Sequence, residues 1–305
     1  MIEEKNKNLI PRPPIIVILG HIDHGKTSLL NALRQSGFTA EKPGGAITQH
    51  IGAFEVEKDG KKITFIDTPG HEAFSAMRLR GAKVADIAVL VIDSCEGVKV
   101  QTKEAIFTIK EAKIPMIVVL NKIDKIEADP ERVKRELAQE NILVESMGGK
   151  VPLVKVSAKT GQGILELLEI ILLITEMEDL KTSLFETAEG IVIESYLDNL
   201  AGPNATLILS KGILKIGDIV GTSSSVGRIK NLEDSYGLNI QKVEPSTPVK
   251  VIGFENIPII GDNFKIFSSL EEAKNFLSPT LNILRSNTND PNNCLLYTSP
   301  SPRDA

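Results

Sequence analysis

The chain has 305 residues, enough for two domains of ordinary size, each with its own core. Apolar residues make up 42% and charged residues 25%, a balance that excludes a largely disordered chain. The net charge of −5 supplies no basic field to draw the chain to DNA, so any nucleic-acid contact requires a local patch.

In chain order, residues 1–12 are charged, carry no apolar signal segment and read as a flexible N-terminal segment. From residue 13 to residue 182, short β-branched runs alternate with helical patterns. Strands are expected at 15–19, 51–57, 63–67, 87–93, 116–120 and 153–157, and helices at 26–35, 100–112, 130–140 and 164–179. Lys58-Asp59-Gly60-Lys61 joins the second and third strands as a tight hairpin, because Asp-Gly supplies the positive φ angles such a turn needs. The remaining alternation is that of βαβ units, so an α/β domain with a mostly parallel, doubly wound sheet is expected.

Residues 183–267 have a different texture. Strands are expected at 187–196, 205–210, 218–221, 227–232, 248–254 and 264–267, punctuated by Gly202-Pro203-Asn204, Lys211-Gly212, Gly217-Asp218 and Gly261-Asp262. That spacing predicts a small all-β barrel. Residues 268–285 read as the start of a helix. Residues 286–305 read as a disordered tail, within which 294–304, CLLYTSPSPRD, resemble a translated library adapter.

Two cysteines, Cys95 and Cys294, are too few for a disulfide framework, and Cys95 reads as a small buried side chain after an apolar run. The longest apolar stretch, 164–174, is interrupted by Glu166 and Glu169 and falls short of the about 20 residues a bilayer requires. A soluble cytoplasmic protein with no membrane partner is the expectation.

The chemistry lies in four loops. Gly20-His21-Ile22-Asp23-His24-Gly25-Lys26-Thr27 fits G-x-x-x-x-G-K-[ST], after an apolar strand and opening a helix. Glycines let the backbone wrap a phosphate, so that N–H groups and the helix N-terminus meet negative charge. Lys26 is expected at the β- and γ-phosphates and the Thr27 hydroxyl on Mg²⁺. In Asp67-Thr68-Pro69-Gly70-His71, Asp67 sits where a Mg²⁺-side carboxylate belongs, and the Gly70 N–H is placed to sense a γ-phosphate. In Asn121-Lys122-Ile123-Asp124, the Asp124 carboxylate can accept from both N1–H and the N2 amine of guanine, a donor pair that adenine lacks. Lys122 would lie along base and ribose, and Ser157-Ala158-Lys159 would close the base pocket through backbone donation to guanine O6. Four such loops in this order, each at a strand's carboxyl end, point to GTP and GDP rather than ATP.

All four histidines, His21, His24, His50 and His71, fall in or beside these loops. His71 follows Asp-x-x-Gly, where a neutral imidazole can orient an attacking water, and it is the expected catalytic residue. His21 and His24 read as shaping the loop.

With those residues in place, the sequence resembles bacterial translation initiation factor 2. GHIDHGKTSLL, ITQHIGAF, FIDTPGHEAFSAMRLRGAKVADIAVLVID and NKID carry the likeness, with ITQHIGA and HEAF its most specific marks. It continues through GPNATLILSKGILKIGDIV and PSTPVKVIGFENIPIIGDNF to about residue 277. The resemblance implies that Thr48 adds a Mg²⁺ ligand when GTP is bound. It implies that Asp23 helps hold a monovalent cation, K⁺ or Na⁺, and that Ile22 and Ile47 form an apolar gate before His71. The family usually runs GGITQ, whereas this chain inserts Ala46 in Gly44-Gly45-Ala46-Ile47-Thr48-Gln49.

The resemblance further implies a monomeric GTPase stimulated by the ribosome. It would promote initiator-tRNA binding to the small subunit and subunit joining, with tRNA recognised by regions beyond this chain. An elongation-type factor carrying aminoacyl-tRNA, a ribosome-independent regulatory GTPase and a binding-only module are the alternatives.

Overall fold

A computed structural model describes residues 9–36, 52–67, 84–198, 201–235 and 237–277. Two sheets organise them. The first contains β2 (Ile15–Gly20), β3 (Ala53–Lys58), β4 (Lys61–Asp67), β5 (Ile87–Asp93), β6 (Met116–Asn121) and β7 (Leu153–Lys155). Their spatial order is β3-β4-β2-β5-β6-β7, with β3 antiparallel to β4 and every other pair parallel. Asp59 and Gly60 turn the β3–β4 hairpin with φ of 54° and 75°, as the Asp-Gly pair requires.

Every residue of β5 is buried, as expected of a parallel strand covered on both faces. The period-2 alternation of β2 sends Ile16 and Ile18 to one face, and Ile15, Val17 and Leu19 to the other. Helices α1 (Lys26–Ser36) and α4 (Ile164–Glu178) cover the first face through Leu29, Leu30, Leu33, Leu167, Leu168 and Ile171. Helices α2 (Val100–Ala112) and α3 (Pro130–Gln139) cover the second through Ala105, Ile106, Ile109, Val133 and Leu137. β7 stops at Lys155, short of the expected 157. Although Val156 N–H still donates to Leu120 O, Ser157 turns its hydroxyl and its N–H to loop partners.

The second sheet is a closed antiparallel barrel. It is built from β9 (Glu189–Asp198), β10 (Gly202–Lys211), β12 (Ile219–Thr222), β13 (Val226–Glu233), β15 (Pro248–Phe254) and β16 (Asn263–Phe267). The order around it is β10-β15-β13-β12-β16-β9. Ala205, Leu207, Val220, Ile229, Val251 and Phe264 fill its interior. Closure leaves no unpaired edge, which accounts for a stable barrel of short strands. Helix α5 (Leu270–Asn275) packs Ala273 against Ile219 and Val226 on the outer wall, and the Ser269 hydroxyl caps it by accepting from Glu272 N–H at 3.2 Å. Of the expected helix over 268–285 and tail over 286–305, everything beyond residue 277 lies outside the described residues, Cys294 included.

Two expectations are corrected. Within the segment 1–12, read as flexible, residues 9–11 form a strand, β1 (Leu9–Pro11), paired antiparallel with β8 (Lys181–Ser183). Arg12 then makes a two-pronged ion pair with Asp86 at 2.7 and 2.5 Å. The pairing is too far apart in sequence, and each strand too short, to leave a periodic signal. Residues 1–8 lie outside the description. Cys95, read as buried, is only half-buried, because it sits in the loop after β5 rather than within the strand.

Candidate functional site

The carboxyl ends of β2, β5 and β6 and the loop after β7 meet at one edge of the first sheet, where the strand order departs from chain order. After β2 the chain makes a 3₁₀ turn over Ile22–His24 and leaves it through Gly25 at φ 84°, which delivers Lys26 to the first turn of α1. A β-carbon at Gly25 would collide with the Asn121 amide, so glycine is required there both for its φ and for the close approach. Asn121 Nδ2 donates to His24 O at 3.1 Å, and Lys122 Nζ donates to Asp23 O at 2.7 Å, tying the loop after β6 to the loop after β2. Lys26 Nζ arches back over its own loop, donating to Gly20 O at 2.9 Å and His21 O at 2.7 Å. Thr27 is exposed at the N-terminus of α1, and Asp23 and Ile22 are exposed on the turn.

The loop after β7 docks on the same cluster. Asn121 Oδ1 accepts from Lys122 N–H at 2.8 Å and from Ala158 N–H at 3.1 Å. The buried Ser157 hydroxyl donates to Asp124 Oδ1 at 2.6 Å and accepts from Thr160 N–H at 3.2 Å. That hydroxyl, with Lys159 nearby, holds the exposed Asp124 carboxyl below its ordinary pKa, so the group is anionic at neutral pH. Asn121, Lys122, Asp124, Ser157 and Ala158 therefore form one hydrogen-bonded unit facing the glycine-rich loop, with Lys159 exposed beside it. A carboxylate can accept from the N–H groups of a base and the backbone N–H groups at a helix N-terminus can receive a phosphate, so the loops at this edge of the sheet carry both kinds of group.

Of the other expected site residues, Asp67 ends β4 in register with Ile18, and its side chain lies outside the description. Ile47, Thr48, Gly70 and His71 lie outside the described residues, as does His50.

Three contacts escaped the sequence reading. Gln101 Oε1 on α2 accepts from Ile22 N–H at 3.1 Å. Val91 O accepts from His24 Nδ1 at 3.3 Å. The buried Asp93 carboxylate meets Lys122 Nζ at 2.6 Å. None belongs to a short motif. A carboxylate closing an apolar strand was the only signal available for the last.

Residues 12–177, more than half of the chain, match the family described as the elongation factor Tu GTP binding domain. The chain belongs to that GTP-binding family. Residues 187–267 match elongation factor G domain 2, which coincides with the barrel. Relatives of this family member include the chloroplastic translation initiation factor IF-2 of Euglena gracilis, 50% identical over 280 residues. Translation initiation factor IF-2 of Desulfitobacterium hafniense is 50% identical over 273 residues. Each alignment covers 90% of this chain but only 34% and 28% of the relative, so the chain spans about a third of their length. Among solved structures, GDP-bound aIF5B from Aeropyrum pernix superposes with a TM-score of 0.73 at 29% identity, covering 92% of this chain and 57% of that one. Elongation factor SelB from Methanococcus maripaludis, in complex with the GTP analogue GppNHp, gives 0.64 at 26% identity, covering 85% of this chain and 55% of that one. Among the described residues, no helix is long and apolar enough to cross a membrane.

Proposed function

We propose that this chain is the nucleotide-switch portion of a translation initiation factor, binding GTP and GDP and hydrolysing GTP when the ribosome completes its site. The observation that carries the reading is the docking of Asn121 and Lys122 onto the Gly20–Thr27 loop, with the Asp124 carboxylate held by Ser157 in the same cluster of loops. The 50% identity to named initiation factors supports initiation over the elongation-type alternative, which has 26% identity to SelB behind it.

In this reading Asp124 accepts from N1–H and the N2 amine of guanine, while Ala158 and Lys159 border its O6 side. The N–H groups from His21 to Thr27 receive the phosphates, and Lys26 exchanges its loop carbonyls for phosphate oxygens. Mg²⁺ would be held by Thr27, Asp67 and Thr48 and would neutralise phosphate charge. Asp23 is placed on the exposed turn where a monovalent cation could share its carboxylate. Gly70 responds to the γ-phosphate, Ile22 and Ile47 screen the water, and His71 orients it. Ordering of the loops by phosphate contacts, and their release on cleavage, would gate the initiator tRNA and subunit-joining steps of the longer protein in the cytoplasm.

GTP turnover by the chain, with and without ribosomes, tests this reading together with Asp124→Asn and His71→Ala. Ribosome-dependent stimulation is expected, with loss of that stimulation but retained GTP binding in His71→Ala. Asp124→Asn should move preference from guanine to xanthine nucleotides. Turnover indifferent to ribosomes would favour the regulatory GTPase, and unchanged guanine preference would sink the base-pocket assignment.

A further inference from the structure

Asp93 ends β5 and belongs to none of the nucleotide motifs, yet it stands behind two of them. Its side chain is 1% exposed. Oδ1 accepts from Cys95 N–H at 2.8 Å, which fixes the carboxylate plane. Oδ2 faces Lys122 Nζ at 2.6 Å, and among the described residues that ammonium is its sole polar partner. Burial by itself would raise the carboxyl pKa. The Lys122 ammonium and the Cys95 N–H outweigh it and hold the group below its ordinary value, so the pair is ionic.

The same ammonium donates to Asp23 O on the phosphate-type loop at 2.7 Å. Lys122 is thus gripped from two sides, and its backbone is set at φ 62°, a left-handed conformation that an L-residue adopts at a cost. The ends of β5 and β6 are also joined beside it, where Ser94 N–H donates to Asn121 O at 2.9 Å. A lysine stem left to itself has rotamer freedom to lose on being fixed. A buried counter-charge removes that freedom in advance.

We propose that Asp93 is a positioning residue for nucleotide binding, holding Lys122 so that the base-side loop and the phosphate-side loop keep one fixed spacing. The inference rests on the guanine-nucleotide reading of this site. Asp93 acts through the Lys122 ammonium, which in turn supports the Asp23 carbonyl. The charge matters as well as the shape, because an amide of the same outline keeps the Cys95 contact but cannot neutralise the ammonium.

The test is a double-mutant cycle on the full chain, reading GDP affinity and dissociation rate by fluorescent-GDP displacement. Asp93→Asn should weaken GDP binding about tenfold, mostly through faster dissociation. Lys122→Met should weaken it at least as much, and adding Asp93→Asn to Lys122→Met should cost nothing further. Asp93→Glu, which keeps the charge, should stay within about threefold of the unaltered chain. Melting curves without nucleotide separate loss of fold from loss of positioning. GDP binding unchanged in Asp93→Asn, effects that add in the double variant, or a folded Asp93→Glu as weak as Asp93→Asn would each overturn the proposal. If Lys122→Met and Asp124→Asn also leave guanine binding untouched, the base-site reading falls with it. If those two weaken binding while Asp93→Asn does not, only the positioning role falls.

Discussion

At residue 24 an imidazole has none of its surface exposed, and Nε2 has no polar partner among the described residues. Burial lowers its pKa from 6.5 to about 4, against the opposing hydrogen bond to Val91 O. His24 is therefore neutral near pH 7 and fills the underside of the phosphate-type loop without adding charge. Between pH 6.5 and about 4 the unfolded chain takes up a proton that the folded chain refuses, so stability falls as pH falls through that window. Below about 4 both states are protonated and the loss levels off, at about 3 kcal/mol in all. Asp93, depressed below 3.8, adds its own loss only at lower pH. Urea titrations at pH 7 and pH 4 should show the difference in unfolding free energy shrinking by up to about 3 kcal/mol in His24→Gln. An unchanged difference would mean that the imidazole is solvated in solution. The sequence marked His24 as part of the loop, but its neutrality depends on the β5 backbone lying beneath it, which no local pattern states.

Helix α4 shows what periodicity can and cannot tell. Its run of leucines and isoleucines reads as one apolar stretch, but the helical turn sorts it into Ile164, Leu167, Leu168 and Ile171 on the core face and Leu165 and Leu173 on the solvent side. Leu167→Ala should therefore cost about 2–5 kcal/mol in chemical denaturation, whereas Leu165→Ala should stay within about 0.5 kcal/mol. Equal costs would show that α4 is rotated from this placement. The long elements were readable because each repeats its signal over several turns or pleats. The pairs β1–β8 and β11 (Leu214–Lys215) with β14 (Lys242–Val243) were not, since two or three residues carry no period and their partners are distant in sequence. Pro11 even argues against a strand, and it is tolerated because β1 lies at an edge.

For the molecule as a whole, the informative contact is the barrel loop at Ser246. This residue is fully buried at φ 66° and sits against the first sheet. Its carbonyl accepts from Thr64 Oγ1 at 2.6 Å, and its hydroxyl accepts from Arg12 Nη1 at 3.3 Å. Arg12 simultaneously holds Asp86, whose Oδ2 also accepts from Ile15 N–H at 2.8 Å. Ile208 of β10 joins the apolar cluster on the α2–α3 side of the sheet, so the junction is both polar and packed. Arg12→Ala leaves the half-buried Asp86 carboxylate with the Ile15 N–H but no counter-charge, and a loss of about 1–3 kcal/mol is expected. Calorimetry should then resolve two transitions where one is expected of the unaltered chain. A single transition at an unchanged midpoint would remove Arg12 from the junction.

The sequence by itself determined the α/β sheet followed by a barrel and the glycine-rich loop, and it named Asn121, Lys122, Asp124 and Ser157 as candidates for the base side. These depend on short-range spacing and on backbone conformations that particular residues allow. Only the tertiary structure decided that Asp93 holds Lys122, that Gln101 holds Ile22, that Val91 lies under His24, and that Arg12 links strand, sheet and barrel. Each of those contacts joins residues from separate elements. Burial at the meeting point sets their charge and geometry, and burial is a property of the packed chain.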